Sequence, residues 1–327
     1  MEGDKNTKFF HGKANQRRKT NEIHKLKDGD GVWWRGEDHV ERILVDHFSD
    51  IFSSSNPDDI DVVCEVVRGK LNNDHKEMCA TSFSNLEVKE AIFQMHPLKA
   101  PGPDGLPALF FQKYWHIVGG EVQNYALDVL KSGRSPEDMN RTFIALIPKC
   151  KNPSSPKDFR PISLCNVVMK IVTKTIANRL KAILPDIIDE EQSAFVKGRL
   201  ITDNALIAME CFHWMKKKKK GKKGTMALKL DMSKAYDRIE WSFVRGLLEA
   251  MGFPDNFVGL ILRCISFDRE TPFPRTCLFY VLMSYQVYYL RRQYSIISMV
   301  FKWPGRHLRS HICSLLMIVC CLLGLTL

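Results

Sequence analysis

The 327 residues are enough for one large domain or two ordinary ones. Hydrophobic content of 45% and charged content of 26% are globular values, which excludes a collagenous or wholly disordered chain. A net charge of +11 admits a polyanionic partner, nucleic acid or an anionic membrane, without requiring one.

Residues 1–56 read as a basic, helical lead-in followed by a small folded piece, with Arg17, Arg18 and Lys19 as a basic cluster. Asp28-Gly29-Asp30-Gly31 is a turn signal, and Val32-Trp33-Trp34 beyond it begins a strand or anchors an apolar patch. Val40, Ile43, Leu44, Phe48 and Phe52 recur at helical spacing over 39–52. Residues 53–57 read as a linker and 57–84 as a connecting segment. A short helix is expected over 86–95, capped by Ser84 or Asn85, with Glu87 and Glu90 near its positive end. Residues 99–107 are a loop rich in proline and glycine, and 109–131 are mostly helical.

A short apolar strand is expected over 142–147, a loop over 149–161, and a long helix over 163–184 that Pro185 terminates. Another helix is expected over 201–215. The seven lysines around Gly221, within 216–223, form a solvated loop or hold a nucleic-acid backbone without reading bases. Residues 225–231 alternate as a strand, with Met226, Leu228 and Leu230 on one face. Helices follow over 239–251, ended by Gly252, and from Pro254.

Beyond about Ser266 the texture changes. From Thr271 onward there is no acidic residue, and 315–327 is apolar except for Thr326. That run is shorter than the roughly 20 residues a spanning helix needs, so membrane attachment is disfavoured. Residues 267–327 read as a divergent, basic and hydrophobic tail without structure, as a shifted frame or unspliced sequence would produce.

The ten cysteines include no CxxC pair and the histidines form no zinc set, so reduced, buried thiols are expected. Residues 1–6 are charged and polar, unlike a secretory signal, so an intracellular protein of nucleus or cytoplasm is expected, not a secreted one. The 99–105 loop lacks a Gly-Lys-Ser/Thr ending, which argues against nucleoside-triphosphatase chemistry. Asp231 closes the 225–231 strand, where a carboxylate can point into a cleft; a strand-end turn or a helix cap is the alternative.

Several blocks stand in a fixed order. Asp4-Lys5-Asn6-Thr7-Lys8-Phe9-Phe10-His11 precedes Arg17-Arg18-Lys19. Lys99-Ala100-Pro101-Gly102-Pro103-Asp104-Gly105-Leu106 follows, then Ile147-Pro148-Lys149 and Asp158-Phe159-Arg160-Pro161-Ile162-Ser163-Leu164. Gln192-Ser193-Ala194-Phe195-Val196-Lys197-Gly198-Arg199 leads to Leu228-Lys229-Leu230-Asp231-Met232-Ser233-Lys234-Ala235-Tyr236-Asp237. From near Lys5 to about Ser266, the chain resembles the reverse transcriptase of plant LINE-type retrotransposons, which lack long terminal repeats.

The resemblance implies an α+β, incomplete right-hand polymerase fold, largely helical, with fingers and a partial palm over 85–266. It implies that Asp231 is the first catalytic, metal-binding aspartate, with the Met232 carbonyl beside Mg2+ or Mn2+. It places Tyr236 beneath the incoming sugar, Arg160 at the triphosphate, and Lys197 and Arg199 on template phosphates. RNA template and DNA primer are the implied partners. A Gly-Leu-Arg-Gln-Gly-Asp-Pro-Leu-Ser-like stretch and a Tyr-Ala-Asp-Asp hairpin are expected of the family, and neither is in these 327 residues. The expectation is therefore a truncated RNA-directed DNA polymerase, inactive alone, of low stability because its palm sheet lacks partner strands. The alternatives are a residual nucleic-acid-binding protein and an unstable retrotransposon product without a biochemical role.

Overall fold

The computed structural model describes residues 8–54, 60–134, 136, 139, 141–188, 196, 198–217, 225–227, 240–266 and 314–316. Among them the fold is mostly helical, with short two-stranded ribbons.

Helix α1 (Lys8–Asn21) is basic and contains no acidic residue. Strand β1 (Lys25–Lys27) pairs antiparallel with β2 (Trp33–Arg35) because Asp28 folds the turn between them. Its carboxylate accepts the N–H groups of Asp30 at 3.0 Å and Val32 at 2.9 Å, and the Trp34 indole N–H at 2.6 Å. Helix α2 (Glu37–Phe52) opens on Glu37 and Asp38, which suit its positive end. Helices α3 (Ile60–Val66) and α4 (Asn73–Ala80) lie in the segment for which no element was expected. Asn72 caps α4 by accepting the His75 N–H at 2.8 Å.

Helix α5 (Asn85–Phe93) starts at Ser84, which forms a reciprocal box with Glu87. The helical stretch expected over 109–131 is two helices, α6 (Ala108–Lys113) and α7 (Trp115–Ser132), broken at Tyr114, whose backbone is not helical. Strand β3 (Thr142–Pro148) pairs antiparallel with β4 (Phe159–Cys165). Here the sequence expectation fails. Residues 159–161 are strand rather than loop, and 163–165 are strand rather than helix. The cause is tertiary: Phe159 and Cys165 are buried, Arg160 and Ile162 are exposed, and β3 supplies the pairing partners.

Helix α8 (Val167–Ile187) runs through Pro185 instead of stopping before it. The missing N–H removes one hydrogen bond near the helix end, while buried Ile183, Leu184, Ile187 and Ile188 anchor that last turn. Helix α9 (Ile201–Lys217), strand β5 (Thr225–Ala227), α10 (Trp241–Met251) and α11 (Asp255–Ser266) follow, and β6 (Ser314–Leu316) pairs parallel with β5. Gly252, at φ 91°, ends α10 in the left-handed conformation a side chain would resist. No described helix is long and apolar enough to cross a membrane.

The residues group into two compact units. The first is drawn from Met1–Ser55, Ser84–Val172 and Arg263–Pro274. Leu26, Val40 and Phe159 form one of its cores, with Ile23, Leu44 and Leu146 packed against them. The second is drawn from Asn56–Phe83, Thr173–Leu262 and Arg275–Leu327. There α3 lies on α10, whose Val244, Leu247, Leu248 and Met251 are buried. The N–H groups of Gly69 and Leu71 bond the Ala250 and Met251 carbonyls at 2.9 and 3.1 Å.

Candidate nucleic-acid interface

The β3–β4 ribbon carries the first candidate residue. Phe159 is 1% exposed, and strand alternation turns the next residue, Arg160, to the opposite, exposed face. Arg160 stands opposite Ile147 in the register. A guanidinium on an exposed strand face can meet phosphate oxygens through paired hydrogen bonds. The connecting loop is built rather than slack. The Asp158 carboxylate accepts the N–H groups of Ser154 at 2.8 Å and Ser155 at 2.9 Å. Those two bonds hold its pKa below the ordinary carboxylate value. The Lys149 ammonium donates to the Lys157 carbonyl at 2.7 Å, and the Lys27 N–H donates to the Ser154 carbonyl at 2.8 Å.

The 99–107 loop is fixed at the junction of β4 and α8. Asn166, 6% exposed, accepts the Asp104 N–H at 3.2 Å and donates to the Met139 carbonyl at 3.2 Å. Lys170 on α8 donates to the Ala100 carbonyl at 3.1 Å. The Asp104 carboxylate accepts the Leu106 N–H at 3.0 Å. Three stiff prolines, Pro101, Pro103 and Pro107, and these bonds give the loop one shape.

In the second unit Arg199 is half-buried. Its Nη2 donates to the Pro185 carbonyl at 3.3 Å and the Ile188 carbonyl at 3.1 Å, satisfying the C-terminal end of α8.

The family model for reverse transcriptase (RNA-dependent DNA polymerase) matches residues 147–280. That span starts on β3 and takes in Arg160 and Asp231. A Xenopus laevis protein, the transposon TX1 uncharacterized 149 kDa protein, is 29% identical over 262 residues, which cover 79% of this chain and 20% of that protein. The retrovirus-related Pol polyprotein of the type-2 retrotransposable element R2DM of Drosophila melanogaster is 26% identical over 162 residues, 50% of this chain and 15% of that polyprotein. The Pol polyprotein of the type-1 element R2 of Nasonia vitripennis is 26% identical over 169 residues, 52% of this chain and 15% of its own length.

The chain is reverse-transcriptase-like, of the non-LTR retrotransposon type.

It spans a fifth or less of the length of these relatives. They are proteins of a frog, a fly and a wasp, so they support the non-LTR type and not the finer assignment to plant elements. Of the site residues expected in this reverse-transcriptase-like chain, the structure describes Arg160 and Arg199, one in each unit. Asp231, Met232, Tyr236 and Lys197 lie outside the described residues, as do the lysines 218–220, 222 and 223. Among the described residues no group of three or more His, Cys, Asp or Glu side chains is placed to hold a metal ion.

Sequence reasoning passed over Asn166, Lys170 and the role of Asp158. Asn166 could have been found as a polar residue directly before a helix, though the expected helix start at 163 hid it. The bond from Lys170 to Ala100 joins residues 70 apart in sequence and leaves no local pattern.

Proposed function

We propose that this chain is part of an RNA-directed DNA polymerase of a non-LTR element. In this reading it contributes a fingers-type ribbon and the first metal-binding aspartate, and does not polymerise by itself. The ordered motif blocks through Asp231, those from Ile147 onward lying inside the span that matches the reverse transcriptase family, carry this reading. Arg160 is the proposed triphosphate contact, and Lys197 and Arg199 are the proposed template contacts. Tyr236 and the Met232 carbonyl would border the incoming nucleotide.

Divalent ions such as Mg2+ supply charge neutralisation and nucleophile activation in nucleotidyl transfer when several carboxylates hold them. This chain offers Asp231 to that set. These 327 residues hold no Tyr-Ala-Asp-Asp to complete it, so no catalytic step is assigned to the chain alone.

The test is primer extension on an RNA template with Mg2+ or Mn2+, comparing the chain with Asp231→Asn. No extension from folded protein is expected. Extension abolished by Asp231→Asn would show an autonomous polymerase and overturn the proposal.

A further inference from the structure

The β1–β2 ribbon lies upstream of the span that matches the family model, and its two faces differ in chemistry. Cross-strand register puts Leu26 and Trp34 on one face. Leu26 is fully buried, and Trp34 is held by its indole bond to Asp28 and by the His39 ring at 4.9 Å. The other face consists of Lys25, Lys27, Trp33 and Arg35, three cations and one indole. Trp33 is 45% exposed. The Lys25 ammonium stands 4.6 Å from its ring centroid and the Lys27 ammonium 5.1 Å. The ribbon is rigidly seated by the bond from the Lys27 N–H to the Ser154 carbonyl and by the Leu26–Val40–Phe159 core.

Helix α1 adjoins this face in sequence. Its described side chains are all exposed, it carries Arg17, Arg18 and Lys19 near its end, and it has no acidic residue. Beyond Phe9 and Phe10 the helix is polar apart from Gly12 and Ala14, and one of this length is marginal alone in water. Lys19 is six residues from Lys25, so the two lie within about 22 Å even with the chain fully extended.

We infer that the outer face of the β1–β2 ribbon, extended by α1, is a docking surface for single-stranded nucleic acid, with Trp33 as the platform on which an unstacked base lies. An exposed indole with two ammonium groups beside it, on a face that also carries Arg35, suits this partner. The ring offers a sequence-tolerant stack, and the cations meet the phosphates on either side. A duplex, whose bases are already stacked, could use only the cations. The surface stands independently of the polymerase reading, because none of its residues belongs to the proposed nucleotide site.

The experiment measures binding of the full chain to a short labelled single-stranded RNA, and to a duplex of the same sequence, by fluorescence anisotropy. Divalent ion and nucleotide are omitted, so a failure here is distinct from a failure of primer extension. Trp33→Ala is expected to weaken single-strand binding about 5- to 150-fold, with the duplex nearly unaffected. Trp33→Phe, which keeps a ring and guards against misfolding of the alanine variant, is expected to retain most of the affinity. Lys25→Ala with Lys27→Ala should flatten the salt dependence by about 0.7 in logarithmic slope for each lost phosphate contact. No binding by the unaltered chain, equal binding by Trp33→Ala, or equal losses on single strand and duplex would overturn the inference.

Discussion

Gly102 sits against Asn166 so closely that a Cβ on the glycine would lie 2.4 Å from both the Asn166 backbone nitrogen and its Oδ1. The 99–107 loop and the start of α8 are therefore one packed unit, and the glycine is there for space. Gly102→Ala should destabilise the first unit by about 1–3 kcal/mol through overpacking. Gly120, inside α7, has nothing within 4 Å of its Cβ position, so Gly120→Ala should stabilise by about 0.5–1 kcal/mol. Urea midpoints of the two variants should move in opposite directions, and a shift of the same sign would contradict the packing account.

Arg179 does for the second unit what Asn166 does for the first. It is 8% exposed, donates to the carbonyls of Met78, Thr81 and Ser82, and lies 3.6 Å over the Phe83 ring. Lysine cannot present this fork of donors, so Arg179→Lys should cost about 2–3 kcal/mol by leaving carbonyls without their charged partner. Thermal melting is the measurement, and an unchanged midpoint would refute the assignment.

Asp158 predicts a pH response. The N–H groups of Ser154 and then Ser155 hold its folded pKa below the ordinary 3.8. A depressed carboxylate stabilises the fold above its unfolded pKa and loses that contribution as pH falls through its folded value. The 149–158 loop should therefore loosen only below about pH 4. Amide exchange at Ser154 and Ser155 should accelerate there relative to the rest of the ribbon, and Asp158→Asn should remove that pH dependence. Equal behaviour of the variant and the original chain would exclude this role.

Burial predicts an order of thiol reactivity. It pushes the Cys79 pKa up to about 11 and that of Cys264 up to about 12, whereas Cys150 is exposed. Among the described cysteines, alkylation of the folded chain at mild alkaline pH should mark Cys150 before Cys79 and Cys264, which should react only on unfolding, as read by peptide mass mapping. Above pH 9.0 an unfolded thiol ionises while these two stay protonated, so stability should fall with rising pH from there toward about 12. Early labelling of Cys264 would show that its helix opens readily.

The legible parts of the fold were those with local causes. The Ser84 cap, the Asp28 turn and the Gly252 terminator each act within a few residues, and each is found where the sequence put it. The misread stretch, 159–165, reads locally as a loop through Pro161 and a helix start at Ser163, and becomes strand only because β3 lies beside it. Of the candidate site, motif order singled out Arg160 and Arg199 as proposed contacts, but not that the first stands exposed on a ribbon while Nη2 of the second is bonded to the end of α8.

The sequence by itself determined the likeness to reverse transcriptases, the positive charge and the helical majority, because motif order, composition and 3.6-residue periodicity are properties of the chain alone. Only the tertiary structure decided which face of a ribbon is core and which is cationic, and which polar side chains are consumed inside. Leu26 and Trp34 face in while Lys25, Lys27, Trp33 and Arg35 face out because Asp28 fixes the register and Phe159, more than a hundred residues away, fills the core behind it. Contacts at that separation are set by packing and carry no signature in the local sequence.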